Sequence, residues 1–429
     1  MKYLHIFIMV IFVFTCTLFA SDLRFGGYLQ NRTTLTLADE EIISDIAQAR
    51  LEGTWNYGQW GGIETHVLVS GALRPLDPFE TVRSGSVMDR ALQELLAPLL
   101  TEAIQILKEQ FPDSDATGNQ QLLTDEVFES IIRYLPYSTF FPSDKTVLDR
   151  ALIKAYFSPF DLFIGRQMIA WGTGYAFNPT DIWNQKSPLD PEAPRLGVNA
   201  LRAEIPLGML SGVSLVVSPG RDFAHSSGGI RVKTNVAGYD MSISGMRIMN
   251  ADRALLGLPG KFMAGVDLAG EIGNIGIWAE AAFNNPVYEE MEYKDLDSSY
   301  FQVDLGFDYT FNNGVYTILE YYFNGLGQDT KEDYNSRDLI HLLTGEMAGF
   351  AKHYLFGGVS YTFSNQFDFS AFVLGNLVDH SAMLLPSIKY LVSDNITIET
   401  GAQIGIGDKN LSEFGGLFPN FLLTAKGYF

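Results

Sequence analysis

The residues that could do chemistry in this 429-residue chain are charges held at two-residue spacing. In residues 298–325, Phe301, Val303, Leu305, Phe307, Tyr309 and Phe311 share one parity, while Gln302, Asp304, Gly306, Asp308 and Thr310 share the other. After Asn312-Asn313-Gly314, alternation resumes with Val315, Thr317, Leu319, Tyr321 and Phe323. Successive side chains of a strand point to opposite faces, so one face is acidic and the other large and aromatic. Asn-Asn-Gly between two such runs predicts a tight hairpin. Carboxylates on a wet inner face select ions and steer solutes. Charges that face lipid are costly, ~2–4 kcal/mol for Lys or Arg at the midplane.

The whole set of candidate interior charges divides along the chain. Arg24, Arg32, Arg50, Arg150, Lys154, Arg166, Arg202, Arg231 and Lys233 come from its first half, with Glu52, Glu64 and Glu204 as acidic exceptions. Asp267, Glu271, Glu280, Asp304, Asp308, Glu320, Asp368 and Glu399 follow, with Lys352 the main basic exception. Neighbouring strands share a wall, so the expectation is a basic wall facing an acidic one, both lining water. Local ion pairing inside the barrel is the alternative.

The elements that must position these charges are strands. About eighteen are legible, from 22–36 to 419–429, with sixteen as the alternative count. Short connections near Gly58, Ser158, Gly208, Gly238, Gly273, Asn313, Asn365 and Asp394 alternate with mostly longer ones. That order fits a closed antiparallel transmembrane β-barrel with short periplasmic turns and long external loops. After residue 20 no apolar run reaches the length of a membrane helix. Closure of a barrel satisfies every backbone group in lipid instead.

Residues 1–20 read as a secretory signal peptide: Lys2, an apolar run, then Leu18-Phe19-Ala20 before Ser21. The rest, 21–429, reads as an outer-membrane barrel. The only cysteine, Cys16, lies in the leader, which leaves no thiol chemistry. A net charge of −21 argues against nucleic acid as a partner. The expected partners are outer-membrane lipid, a small hydrophilic solute or ion, and the barrel assembly machinery. The terminal Phe429 on the amphipathic run Phe421–Phe429 resembles that machinery's signal. An oligomer is left open, since no seam is evident in the sequence.

Residues 77–143 interrupt the strand pattern with leucines at helical spacing, among them Leu92, Leu95, Leu96, Leu99 and Leu100. They predict a helical insert between the third and fourth strands, over or in the entrance. The histidines His66, His225, His341, His353 and His380 are scattered. No catalytic constellation, metal-ligand spacing or cofactor motif is seen, so no enzyme, metal or cofactor is expected.

The run Gly165-Arg166-Gln167 through Trp171-Gly172 to Asn178-Pro179-Thr180-Asp181 joins glycines to strong turn chemistry. It resembles a segment of outer-membrane porin-like β-barrel proteins and, more distantly, of alginate-export-type and related porins. The resemblance implies a passive channel for small hydrophilic solutes, an anion or a sugar-like solute among them. It also implies a pore role for Arg166 and a loop after Trp171 folded inward. The alternative function is a structural or adhesive barrel whose external insert binds a partner.

Overall fold

The computed structural model describes residues 23–38, 41–74, 84–94, 145–184, 187–189, 197–249, 260–287 and 298–429. Residues 1–20 and most of 77–143 therefore lie outside the described residues, as do the expectations that fall on them. The strands are β1 (Leu23–Leu37), β2 (Glu41–Asn56), β3 (Gly61–Arg74), β4 (Lys145–Tyr156), β5 (Asp161–Gln167) and β6 (Val198–Pro206). Next come β7 (Gly212–Ser218), β8 (Ser227–Val236), β9 (Tyr239–Ile248), β10 (Gly260–Ile272), β11 (Ile275–Val287) and β12 (Tyr300–Thr310). The last six are β13 (Tyr316–Asn324), β14 (His353–Ser364), β15 (Phe367–Asn376), β16 (Ser381–Ser393), β17 (Ile396–Ile406) and β18 (Asn420–Tyr428).

Each strand pairs antiparallel with its chain neighbours, and β1 pairs with β18 to close an 18-stranded barrel. The closing ladder runs from Tyr28 opposite Tyr428 to Thr36 opposite Asn420. Beyond it, Gly27 and Phe429 exchange backbone hydrogen bonds, both 3.2 Å. Alternation holds as read. Phe301, Leu305 and Phe307 are exposed outside, while Gln302 and Asp304 are buried within. Tight hairpins fall at the expected sites. Ala237-Gly238 and Gly273 adopt positive φ there, the backbone that suits the twist of two-residue turns.

One register detail is absent from the alternation. A bulge where His66 of β3 meets β4 inserts an extra residue, so adjacent Asp149 and Arg150 both reach the interior network. Within the insert, residues 87–94 are helical, and Val87, Ala91 and Leu92 are buried. This helix touches the long loops, with the Ser336 N–H donating to Glu94 at 3.3 Å.

Candidate functional site

The barrel interior is crossed by the segment that follows β5. Its base is tied by two bonds: the Ile169 N–H donates to Asn184 Oδ1 at 2.8 Å, and the Asn184 N–H donates to Asp181 Oδ1 at 3.1 Å. Trp171 meets Trp183 edge to face at 6.5 Å. Ile169 and Trp171 pack on an apolar patch of the inner wall formed by Ala200, Val216, Met246, Ile248 and Met263. The tip crosses further. Phe177 stacks on Tyr322 of β13 at 4.5 Å, and Tyr175 lies against Phe356 and Phe372.

The tip is pinned by two carboxylates of the wall. Glu280 of β11 accepts the N–H groups of Thr173, Gly174 (2.6 Å) and Thr180 (3.3 Å), and the Thr180 hydroxyl at 2.8 Å. Glu320 of β13 accepts the N–H groups of Tyr175, Ala176 and Phe177 at 3.1, 2.8 and 3.2 Å. Five successive amides thus converge on two carboxylates, a concave anion nest with wall side chains as its anions. Glycine makes the approach feasible. A Cβ at Gly172, whose φ is +94°, would meet both Glu280 oxygens at 2.8 Å. At Gly174 it would meet Asp304 Oδ2 at 2.6 Å and Glu320 Oε1 at 2.9 Å.

Asp267, Glu280 and Asp304 are direct cross-strand partners on β10, β11 and β12. Like charges directly opposite repel, so each needs its own compensation. Asp267 takes Arg231 at 3.0 Å and the Ser242 hydroxyl. Glu280 takes the loop amides, and Asp304 accepts the Trp278 indole N–H at 3.1 Å.

These contacts correct the expectation of an open acidic wall. Glu280, Asp304 and Glu320 are 1%, 0% and 0% exposed, because the loop covers them. Asp267 is also buried, at the seam where the basic stretch meets the acidic one. Asp308 is half-buried and accepts the Tyr316 hydroxyl at 3.0 Å; Glu271, Asp368 and Glu399 stay exposed. Lys389, which sequence reasoning passed over, sits in register between Asp368 and Glu399.

The basic stretch is partly consumed by local pairs, the alternative foreseen above. Arg50 is buried against Asp149 and Glu52, both at 2.7 Å, and against His66 at 2.8 Å. Lys154 and Arg150 reach Glu64 at 2.6 and 3.4 Å. Arg202 lies 4.3 Å over the Phe163 ring and 3.6 Å from Glu204. Arg32 and Arg166 are half-buried, while Arg24 and Lys233 are exposed.

Another buried acid, Glu413, was missed by sequence reasoning and ties the long loops together. Glu413 accepts the Tyr354 hydroxyl (2.6 Å), Asn376 Nδ2 (2.7 Å) and the Phe350 N–H (3.2 Å), and its own N–H donates to Asp379 (2.7 Å). None of these four partners is a cation. Burial, with Asp379 adding to it, pushes the Glu413 carboxyl up to about 8.

No known protein family matches the chain, and no curated protein matches it. Solved barrels do. Pseudomonas aeruginosa OccK11 (OpdR) aligns over 96% of each chain at 9% identity with a TM-score of 0.56. Acinetobacter baumannii OccAB4 covers 96% of this chain and 99% of its own, at 9% identity and TM-score 0.54. OccAB3 from the same organism gives 95%, 99%, 10% and 0.53. The likeness is one of fold: the chain is a porin-like closed barrel.

Proposed function

We propose that this protein is an outer-membrane channel for passive diffusion of small hydrophilic solutes, working without chemistry on its cargo. The observation that carries the reading is the segment 168–184 drawn across a closed barrel and pinned to the far wall by Glu280 and Glu320. An inward loop held this firmly sets the width of the passage, and the charges left around it set selectivity. The acids beneath the loop are withdrawn from water. On the inward parity the basic side chains Arg32, Lys154, Arg202 and Lys233 are not fully buried, which supports a preference for anions. Outward Phe301, Leu305 and Phe307 support a lipid setting, and Phe429 at the chain end supports delivery by the barrel assembly machinery.

Planar-bilayer recording tests the proposal. Purified, folded protein should give discrete conductance steps with a reversal potential displaced toward that of the anion. A folded barrel without steps ends the channel reading.

A further inference from the structure

The barrel interior holds a histidine inside a cluster of charges. His66 lies on the inward parity of β3 and is 7% exposed. The bulge in the β3–β4 ladder falls beside it, with Asp149 as the extra residue. Bulges re-aim side chains, and this one turns a further carboxylate into the cluster.

Three bases and three acids form one connected group with the ring. Arg50 and Glu52 come from β2, Glu64 from β3, and Asp149, Arg150 and Lys154 from β4. From β1, Tyr28 meets Arg50. The six charges cancel, so the cluster is balanced only while His66 is neutral. The contacts decide which ring nitrogen holds the proton. A guanidinium can only donate, and Arg50 Nη2 lies 2.8 Å from Nδ1. Nδ1 therefore accepts. Nε2 carries the hydrogen and faces Glu64 Oε1 at 3.2 Å.

A second proton can go only to Nδ1, where it would oppose the hydrogens of Arg50. To admit it, Arg50 must withdraw onto Asp149 and Glu52, both already at 2.7 Å. Glu52 Oε1, 3.7 Å from Nδ1, then becomes the acceptor for the new N–H.

The cluster borders the side of the barrel that the inward segment leaves open. The base of 168–184 lies on β6, β7, β9 and β10, and its tip reaches β13, β14 and β15. The interior in front of β1 to β4 is on the opposite side. Arg150 Nη2 reaches Met168 Sδ at 3.6 Å, so the cluster stands level with the point where the segment leaves the wall. The side chains of Glu52, Lys154 and Arg150 keep 39%, 23% and 22% exposure. A charge gained at His66 is therefore one side chain away from the path.

We infer that His66 sets how strongly the passage prefers anions: neutral, it leaves the cluster balanced; doubly protonated, it adds one positive charge beside the path. The inference rests on the channel reading proposed above. Histidine is the side chain suited to this task, since its ordinary value is near ~6.5, well above the ~4 of carboxylates.

Reversal potentials in a salt gradient, taken from pH about 7.5 down to about 5, test it. For the wild type the anion-to-cation permeability ratio should rise about two- to threefold, the effect of one unit charge within a Debye length of the path at ~0.1 M salt. His66→Gln keeps an acceptor for Arg50 and a donor for Glu64 but cannot titrate. It should match the wild type at the upper end of the range and stay flat below. A wild-type ratio that does not move, or a rise that survives in His66→Gln, overturns the inference. NMR of 15N-histidine-labelled protein reads the ring independently of conductance, with the His66 signals identified by their loss in His66→Gln. They should show a bare Nδ1 and a protonated Nε2 at the upper end, and a second proton arriving as the ratio rises. The opposite tautomer, or a ring already doubly protonated at the upper end, overturns it as well. A folded barrel without conductance steps ends the channel reading and the inference with it; a conducting barrel of constant selectivity ends the inference alone.

Discussion

Thr180 donates both its hydroxyl and its N–H to Glu280, 2.8 and 3.3 Å across the barrel interior. With Glu320 this holds the inward segment by charge-assisted bonds, each worth about 1.5–3 kcal/mol. Replacing Glu320 by Ala is therefore expected to free the tip at 175–177 and widen the passage. Single-channel conductance should rise and its noise increase, and external protease should cut near the tip. Gly174→Val should reproduce this with both carboxylates still in place, since its side chain would collide with Asp304 and Glu320. Unchanged conductance in both folded variants would take the segment off the ion path.

Asp304 and Asp308 sit four residues apart on one face, and the sequence treats them alike. The structure does not. Asp304 is sealed beneath the loop and Asp308 is half-buried nearer the short-turn rim. Asp304→Arg would force a much longer side chain into the space sealed beneath the loop, overpacking that costs about 1–3 kcal/mol or more. It is expected to abolish the heat-modifiable folded form. Asp308→Arg should fold and displace the reversal potential toward the anion. Equal assembly defects would mean that burial beneath the loop does not distinguish them.

Strand number, hairpin positions and the inside–outside parity of Phe301 to Thr310 were legible because two-residue periodicity is local. So was the special character of residues 165–184, because glycine and Asn-Pro-Thr-Asp announce backbone needs. What the inward loop bonds to was not legible. Glu280 and Glu320 lie 100 residues or more from their donors, and no local pattern encodes that register. Asp149 was missed for a related reason: a bulge shifts parity, and parity was the only guide. Glu413 carries no local signal at all, since its partners come from two distant stretches, 350–354 and 376–379.

Phe429 contributes to closure as well as to sequence pattern, through its paired bonds with Gly27. Deleting it removes two backbone hydrogen bonds, about 0.5–1.5 kcal/mol each, from the one ladder that joins the chain's ends. Assembled protein in membranes should fall sharply, whereas Phe429→Tyr should assemble normally. The readout is the heat-modifiable fraction after a short pulse of synthesis. Normal assembly of the deletion would remove Phe429 from both roles.

The loops at the long-loop rim should loosen in mild alkali. Glu413 is buried beside Asp379, Tyr334 and Tyr354, and its carboxyl is held up to about 8 against an ordinary carboxylate value near ~4.3. A raised carboxyl pKa means the folded loops favour the protonated form. The stabilisation this gives is fully present below the unfolded value, and it is lost as pH rises through about 8. Charging then leaves two carboxylates against each other in a site sealed from water. Protease resistance of the loops 325–352 and 407–418 should therefore be highest near pH ~4, fall as pH rises towards about 8, and level off above it. Glu413→Gln keeps acceptor and donor capacity without a titrating proton, so it should flatten that profile. A wild-type protein with the same resistance near pH ~4.5 and near pH ~8 would show that Glu413 does not hold the loops by its proton.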